Sequence, residues 1–321
     1  MPKHKTTRPR PKRLYRLSNW PEYERALRHR SSITFWLSPE GVETWRYRGE
    51  KQRGSQFVYS DQAIQMMLTI KEVFHLSNRG AEGFLRSLFG LLGLALAVPD
   101  HTTLSKRSRH LAVSLPRRIT GPLQVVLDST GLKLYGEGEW KVRQHGHAKH
   151  RTWRTLHLGI EPESGEIQAV VLTTNAVSDS QAVPALLAQI EAPLLSCTGD
   201  GGYDKRPVYQ ALQAHSPAAQ VVIPPRRNAH IWQHGNSQAE RLKRDENLRS
   251  IRRQGRRAWM RATGYHRRSL AETCMFRLRT VFSDRLSARR LDTQKTQVLI
   301  RCRALNLMTH LTMPQSYRVA T

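Results

Sequence analysis

The chain divides, by the rhythm of its apolar positions, into a helical stretch and a stranded one. Between Ser60 and Leu115 apolar residues return every three or four positions, the period of a helix with one buried face. A first helix is expected after the capping pair Ser60-Asp61, running to about Leu76 with Ile64, Met67, Leu68 and Phe74 apolar. A second covers 81–92, and a third, 101–111, follows Val98-Pro99-Asp100. Ahead of them, 21–30 reads as a shorter helix. From Gln124 the pattern changes to short β-rich runs at 124–128, 152–160, 166–174, 194–200 and 220–223, the last stopped by Pro224-Pro225. Helices are expected between them at 179–190 and 205–215. Three consecutive strands predict an antiparallel meander, and the later strand–helix alternation predicts parallel additions. Residues 226–263 are basic and helix-prone. After Gly264 a last helix opens at Tyr265, with no Gly or Pro inside it through Arg279.

Charge narrows the partner. Lys and Arg number 52 against 25 Asp and Glu, a net +27, which points to a polyanion, most simply nucleic acid. A ribosome-type structural binder or a membrane-surface protein is the plainer alternative. Hydrophobic residues make up 39% of the chain and include seven Trp, so the basic charge is carried on real cores rather than on a disordered polymer. The length suggests two domains. The longest apolar run, 87–98, is short of the ~20 residues a membrane span needs and carries Gly90 and Gly93, so it reads as core. Cys197, Cys274 and Cys302 are far apart, with no CxxC and no zinc-ligand spacing. They read as reduced, buried thiols, and with no signal-peptide h-region at the N-terminus a cytoplasmic, nucleoid-associated protein is expected. Four regions follow: a basic Lys/Arg/Pro-rich arm (1–17), free for phosphates or simply solvated; a helical, helix-turn-helix-like DNA-binding domain (18–118); an α/β catalytic domain (119–312) with a basic helical insertion at about 226–263; and a tail (313–321).

Candidate chemistry comes from two places. The third helix carries hydroxyls at its start and cations along one side, which suits a recognition helix presenting Thr102, Thr103, Lys106 and Arg107 to a DNA groove. An ordinary amphipathic helix in a very basic chain would look the same. The second place is a trio of acids. Asp128 and Asp200 each close a predicted buried strand, where a carboxylate is costly unless paired or metal-bound. Glu272 lies in the last helix with Tyr265, Arg268 and Arg279 at i, i+3, i+7 and i+14, one face at about 3.6 residues per turn. A solvated face with Arg268–Glu272 as an i,i+4 pair is the alternative. If the two strands are neighbours and the helix crosses them, the three carboxylates converge. Hard oxygen donors select Mg²⁺ or Mn²⁺, and such a trio can hold two ions about 3.5–4 Å apart for in-line displacement at phosphorus. Arg268 and Arg279 would then hold phosphates, and Tyr265 would stack on or hydrogen-bond to a nucleotide. Asp200 is the expected ligand rather than Asp204, because it ends its strand and Gly201-Gly202 allow close approach of a metal or phosphate; Asp204 precedes a helix and reads as its N-cap, as does Asp179. Glu137 and Glu139 read as hairpin residues. His145, His147, His150 and His157 read as hairpin surface or DNA backbone contacts, not a metal site. Trp140, Trp153, Trp232 and Trp259 read as packing, though each could stack on an extruded base.

The residues also resemble a family. Tyr265-x2-Arg268-x3-Glu272-x6-Arg279 is similar to the Tyr-x2-Arg-x3-Glu-x6-Lys signature of bacterial insertion-sequence transposases. Leu127-Asp128-Ser129-Thr130-Gly131 resembles their first catalytic region and Gly199-Asp200-Gly201-Gly202-Tyr203-Asp204 their second. Residues 139–146 and 151–154 resemble the insertion-sequence-5 branch, and 99–104 its N-terminal DNA-binding region. The resemblance spans roughly 60–279. It implies an RNase H-like fold, a mixed five-stranded sheet with helices, and a DDE triad of Asp128, Asp200 and Glu272. The implied function is a transposase that binds the terminal inverted repeats of its element and carries out metal-dependent cleavage and strand transfer, as a homo-oligomer on element ends and target DNA. A structure-specific nuclease of the same fold and a non-catalytic, transposase-derived DNA-binding protein are the alternatives. Arg279 departs from the family, which usually has Lys there: the charge is kept, but a planar fork replaces a point charge.

Overall fold

The computed structural model describes residues 14–50, 54, 56–119, 121–134, 153–233 and 241–319. The expected hairpin with Glu137, Glu139, Trp140, His145, His147 and His150, and most of the basic arm, lie outside these residues.

The chain opens with strand β1 (Tyr15–Leu17) and helices α1 (Trp20–Arg30), α2 (Ile33–Trp36), α3 (Pro39–Glu43), α4 (Asp61–Val73), α5 (Asn78–Leu91) and α6 (His101–Arg107). Helices α4, α5 and α6 begin where serine or aspartate can cap them. Ser60 accepts from the Ala63 N–H, Ser77 from Gly80, and Asp100 from Thr102 and Thr103. The third helix is shorter than expected: it ends at Arg107 and gives way to a turn.

Strands β2 (Leu123–Leu134), β3 (Trp153–Ile160) and β4 (Ile167–Thr174) form the antiparallel meander. Helix α7 (Asp179–Leu187) leads to β5 (Leu194–Thr198), and α8 (Arg206–His215) to β6 (Gln220–Val222). Both later strands add in parallel, giving the order β4-β3-β2-β5-β6. The basic stretch contributes α9 (Lys243–Gln254) and α10 (Arg256–Ala262). A 3₁₀ turn (Tyr265–Arg268) then runs into α11 (Ser269–Phe282). After it come β7 (Arg285–Leu286), α12 (Leu291–His310) and β8 (Ser316–Arg318). β8 pairs with β1, so residues that the sequence placed in the free arm and tail form a small antiparallel sheet. The whole is a mixed α/β protein built on a mixed sheet.

Side chains alternate across β2, as a strand requires. Val126 and Leu132 face one side, in a core with Met275 and Leu278 of α11 and Leu305 of α12. Val125 and Leu127 face the other, in a core with Val183 and Leu187 of α7 and Leu212 of α8. The first core does not stop at the meander: Ile64 and Met67 of α4, Leu85 of α5 and Leu104 of α6 belong to it. The helical half and the sheet half therefore share one interior. Among the described residues no helix is long and apolar enough to cross a membrane.

One feature of the sheet sets up the site. β5 pairs with β2 only from Leu123 to Val126. β7 pairs with β2 in parallel at Lys133 and Leu134. Between these two partners, Asp128 sits where neither β5 nor β7 pairs with β2.

Candidate active site

Asp128 does not close its strand, as the sequence suggested. β2 continues to Leu134, and what ends near Asp128 is its neighbour β5. A run of apolar residues followed by Asp-Ser-Thr-Gly reads as a strand stop, but β3 keeps pairing with β2 through Lys133 and carries the strand on. The Asp128 side chain is 17% exposed. Burial, the largest influence, pushes its carboxyl above the usual range, and the negative charges of Asp200 and Glu272 push the same way. The Ser129 N–H, which donates to Asp128 Oδ1 at 2.9 Å, and the Arg268 charge oppose them. The electrostatic fields of all three candidate carboxylates thus meet at Asp128.

Asp200 stands two residues beyond the end of β5 and caps a 3₁₀ turn (Gly201–Tyr203). Its Oδ1 accepts from the Gly202 N–H at 2.8 Å. A Cβ on Gly202 would lie 2.9 Å from that same oxygen, so glycine here makes room for the carboxylate of Asp200 itself. The sequence had reserved that space for a metal or phosphate.

Glu272 is on α11. Ala271, Cys274, Met275, Leu278 and Phe282 bury one side of that helix, while Glu272, Thr273, Phe276 and Arg279 are exposed. Two turns of helix separate Glu272 from Arg279, roughly 10 Å along the axis. Arg268 joins the trio: its Nη1 lies 3.6 Å from Asp128 Oδ2 and its Nη2 donates to Glu272 Oε1. The i,i+4 pair foreseen from the sequence is therefore present, but it is not a plain solvated pair, because the same guanidinium reaches a second acid on β2. Tyr265 is half-buried, its ring 5.9 Å from that of Trp259. Burial first, then the charges of Asp200 and Asp128 against those of Arg268 and Arg256, raise its hydroxyl above the ordinary tyrosine value.

Among the described residues no three His, Cys, Asp or Glu side chains are grouped closely enough to hold a metal ion as they stand. The donor chemistry nonetheless suits a hard cation: the charges of Asp200 and Glu272 raise the proton affinity of Asp128, and Arg268 is the positive charge between Asp128 and Glu272.

Several neighbouring acids and bases do other things than expected. Asp204 is no N-cap; Lys205 holds that position on α8. Asp204 instead pairs with Arg244 of α9 at 3.0 Å and accepts from the Arg226 N–H and the Tyr209 hydroxyl, each at 3.2 Å. Its oxygens are engaged, whereas Asp200 keeps acceptor capacity. Asp179 is not a cap either: Ser178 is, with Gln181 completing a capping box. Asp179 Oδ1 lies 3.3 Å from Nδ1 of His157, which is fully buried and shares a 2.9 Å hydrogen bond with Thr173 Oγ1. The proximity of His157, opposed by burial, and that of Ser129 hold the Asp179 carboxyl low. His157 therefore belongs to the interior, on the sheet face opposite Asp128. The signal was its odd position in β3, in step with the buried side of Val125 and Leu127.

In the third helix, Thr102 and Thr103 direct both hydroxyls to Asp100, at 2.5 and 2.9 Å. These bonds, led by the one from Thr102, hold the Asp100 carboxyl far below its usual value. Arg107 donates to the Tyr59 carbonyl at 2.9 Å, pairs with Asp61 at 2.5 Å and stacks on Phe57 at 3.9 Å. Lys106 is exposed and takes part in none of these bonds.

A family model described as a transposase DDE domain matches residues 119–307, and a second with the same description matches residues 28–137. The first spans Asp128, Asp200, Tyr265, Arg268, Glu272 and Arg279.

Proposed function

We propose, starting from the fact that the chain belongs to the transposase DDE domain family and is a DNA transposase with polynucleotidyl transferase activity, that Asp128, Asp200 and Glu272 are its catalytic carboxylates. The observation that carries this reading is the gap on the edge of β2. There the turn after β5 and the exposed face of α11 bring two acids into the field of Asp128. The strand order, an antiparallel meander extended by two parallel strands, supports an RNase H-like catalytic domain.

Asp128, Asp200 and Glu272 would hold Mg²⁺ or Mn²⁺, which activates the attacking hydroxyl and stabilises charge on the leaving oxygen when bound. The chain's own groups do the positioning. The Ser129 N–H and the long β2 strand fix Asp128. The Gly202 N–H fixes one oxygen of Asp200 and leaves the other free. Arg268 keeps Asp128 and Glu272 from repelling each other and offers a phosphate the same cationic fork. Tyr265, beside them, closes one side against a nucleotide, and Arg279 stands two turns along α11 to take a phosphate of the same strand. Residues 18–118 would bind the terminal repeats of the element. Two ends must meet for transposition, so the working form is a homo-oligomer.

The test uses a donor plasmid carrying the gene's own flanking DNA, purified protein and a divalent metal. Wild type should cleave at the flanks and join the ends to a second plasmid. Asp200→Asn should bind the ends as well as wild type yet lose cleavage by at least about 10³-fold, as expected when a two-metal site loses a ligand. Cleavage without joining would favour a nuclease. Binding by both proteins with no cleavage by either, in Mg²⁺ or Mn²⁺, would favour a DNA-binding relic.

A further inference from the structure

The two halves of the molecule meet along a groove away from the carboxylates. Two adjoining cavities, of about 480 and 410 Å³, share Ser77, Asn78, Ser105 and Arg109 in their walls. One wall is α6 and the turn after it, a second is the start of α5, and the third is the loop joining β7 to α12. The walls come from residues far apart in sequence, which is why no motif marked the groove.

Its charge is one-sided. Glu72 is the one carboxylate in its lining, and it is neutralised from within by Lys71 at 2.7 Å and Arg301 at 2.6 Å. Arg290 is paired with Asp292. Arg79, Lys106, Arg109 and Arg289 are all exposed, and none stands in an ion pair among the described residues. Elsewhere in this chain arginines beside carboxylates pair with them, as Arg107, Arg244 and Arg268 do. Four unpaired cations around one groove are therefore held together against their own repulsion. Among the neutral groups between them are hydroxyls. Ser77 Oγ accepts from the Gly80 N–H and Ser287 Oγ from the Gln297 amide, at 3.0 and 2.9 Å, so each keeps its own O–H to donate outward.

Cations interleaved with hydroxyl donors match a phosphodiester backbone, which is contacted by Arg, Lys, Ser and Asn without regard to sequence. We propose that this groove is a docking site for the backbone of duplex DNA, rather than a base-reading surface. The proposal rests on the transposase reading for the identity of its polyanion. It places the DNA contact of the helical half on Lys106 and Arg109 rather than on Thr102, Thr103 and Arg107, whose polar groups are spent inside the protein. Because Arg289 comes from the loop after β7, and β7 pairs with the far end of the catalytic strand, one stretch of DNA backbone would be gripped by both halves at once.

The test measures affinity by fluorescence anisotropy across a salt series, on a duplex of the element end and on a scrambled duplex. Arg109→Ala/Arg289→Ala should weaken both complexes alike, by roughly tenfold near physiological salt, and reduce the log–log salt slope by about 2, at ~0.9 for each phosphate no longer neutralised. Lys295→Ala/Arg318→Ala, which removes the same charge from exposed positions outside both the groove and residues 18–118, should weaken binding less and keep the wild-type slope. Wild-type slope and affinity in the groove variant overturn the proposal, as does equal weakening by the control pair. Weakening confined to the element-end duplex overturns the backbone assignment in favour of base contact. Wild-type protein that binds neither duplex overturns the DNA reading and this proposal with it.

Discussion

Arg268 answers to two acids at once, and its removal tests whether they share a field. With Arg268→Ala, Asp128 and Glu272 face each other with no charge between them. In EDTA the melting temperature should fall below that of wild type. Mg²⁺ or Mn²⁺ should then raise it by more than in wild type, since an ion that binds only the folded state stabilises it by mass action and here also relieves the repulsion. Strand cleavage should drop on the order of 10²-fold, the loss that misplaced catalytic groups bring. A metal-induced gain in melting temperature no greater than wild type's would show that the carboxylates act separately. The sequence revealed the partners but not the full arrangement: spacing gave the pair with Glu272, whereas the reach to Asp128 depends on where α11 crosses β2. In the same way Gly202 was legible as a glycine that something must approach, and only the turn geometry shows that the approaching group is the Asp200 carboxylate.

At the scale of elements, periodicity carried most of the information. The Ser60-Asp61 cap and the 3.6-residue rhythm located α4, the rhythm alone located α5 with its start three residues late because the Ser77 cap went unread, and the alternation in 152–160 and 166–174 located β3 and β4 within a residue or two. What periodicity could not reveal was pairing between elements. The length of β2 is set by β3 alongside it and not by its own composition. Asp204 looked like a cap because a helix follows it, but its partner Arg244 lies forty residues on, in the insertion. Arg244 is 3% exposed, held between Asp204 and the fully buried Asp245, with its guanidinium 3.9 Å from the Trp232 ring. This cluster ties α9 to the turn that carries Asp200. Arg244→Met leaves two buried acids without a counter-charge and should lower unfolding free energy by about 3–5 kcal/mol, the usual loss when one partner of a buried pair is removed. Arg244→Lys should recover only part of it, because a point charge cannot serve both carboxylates and the aromatic face as a planar fork does. Urea unfolding of the three proteins measures both effects, and a Lys variant as stable as wild type would refute the second.

For the molecule as a whole, the division at residue 118 follows the change of sequence rhythm but not a break in packing. The segment before β2 is stitched to α12: Thr296 donates to the Ser108 carbonyl at 2.7 Å, Arg303 to Ser114 at 2.9 Å and Asn306 to Pro116 at 3.0 Å. Deeper in, Glu72 of α4 meets Arg301 of α12 at 2.6 Å, with Lys71 and Gln297 completing the cluster. Burial works to raise the Glu72 carboxyl, but the charges of Arg301 and Lys71 and the hydrogen bonds from Lys71 and Gln297 outweigh it and hold it below the usual 4.5. A carboxyl lowered by folding stabilises the protein above its unfolded value, and that contribution is lost as pH falls through the lower folded value. Wild-type stability should therefore hold from neutrality down to about pH 5 and decline below that as Glu72 takes up a proton. Glu72→Gln keeps the shape but leaves Lys71 and Arg301 buried against a neutral group. It should be less stable by about 3–5 kcal/mol at pH 7, with the gap to wild type closing as acid neutralises Glu72 in the parent. Because the cluster lies between the halves, the loss should appear in one transition that reports on both, whether followed by tryptophan fluorescence or by far-ultraviolet circular dichroism. Two separate transitions, with only one of them sensitive to Glu72→Gln, would show that the halves fold independently despite their common core.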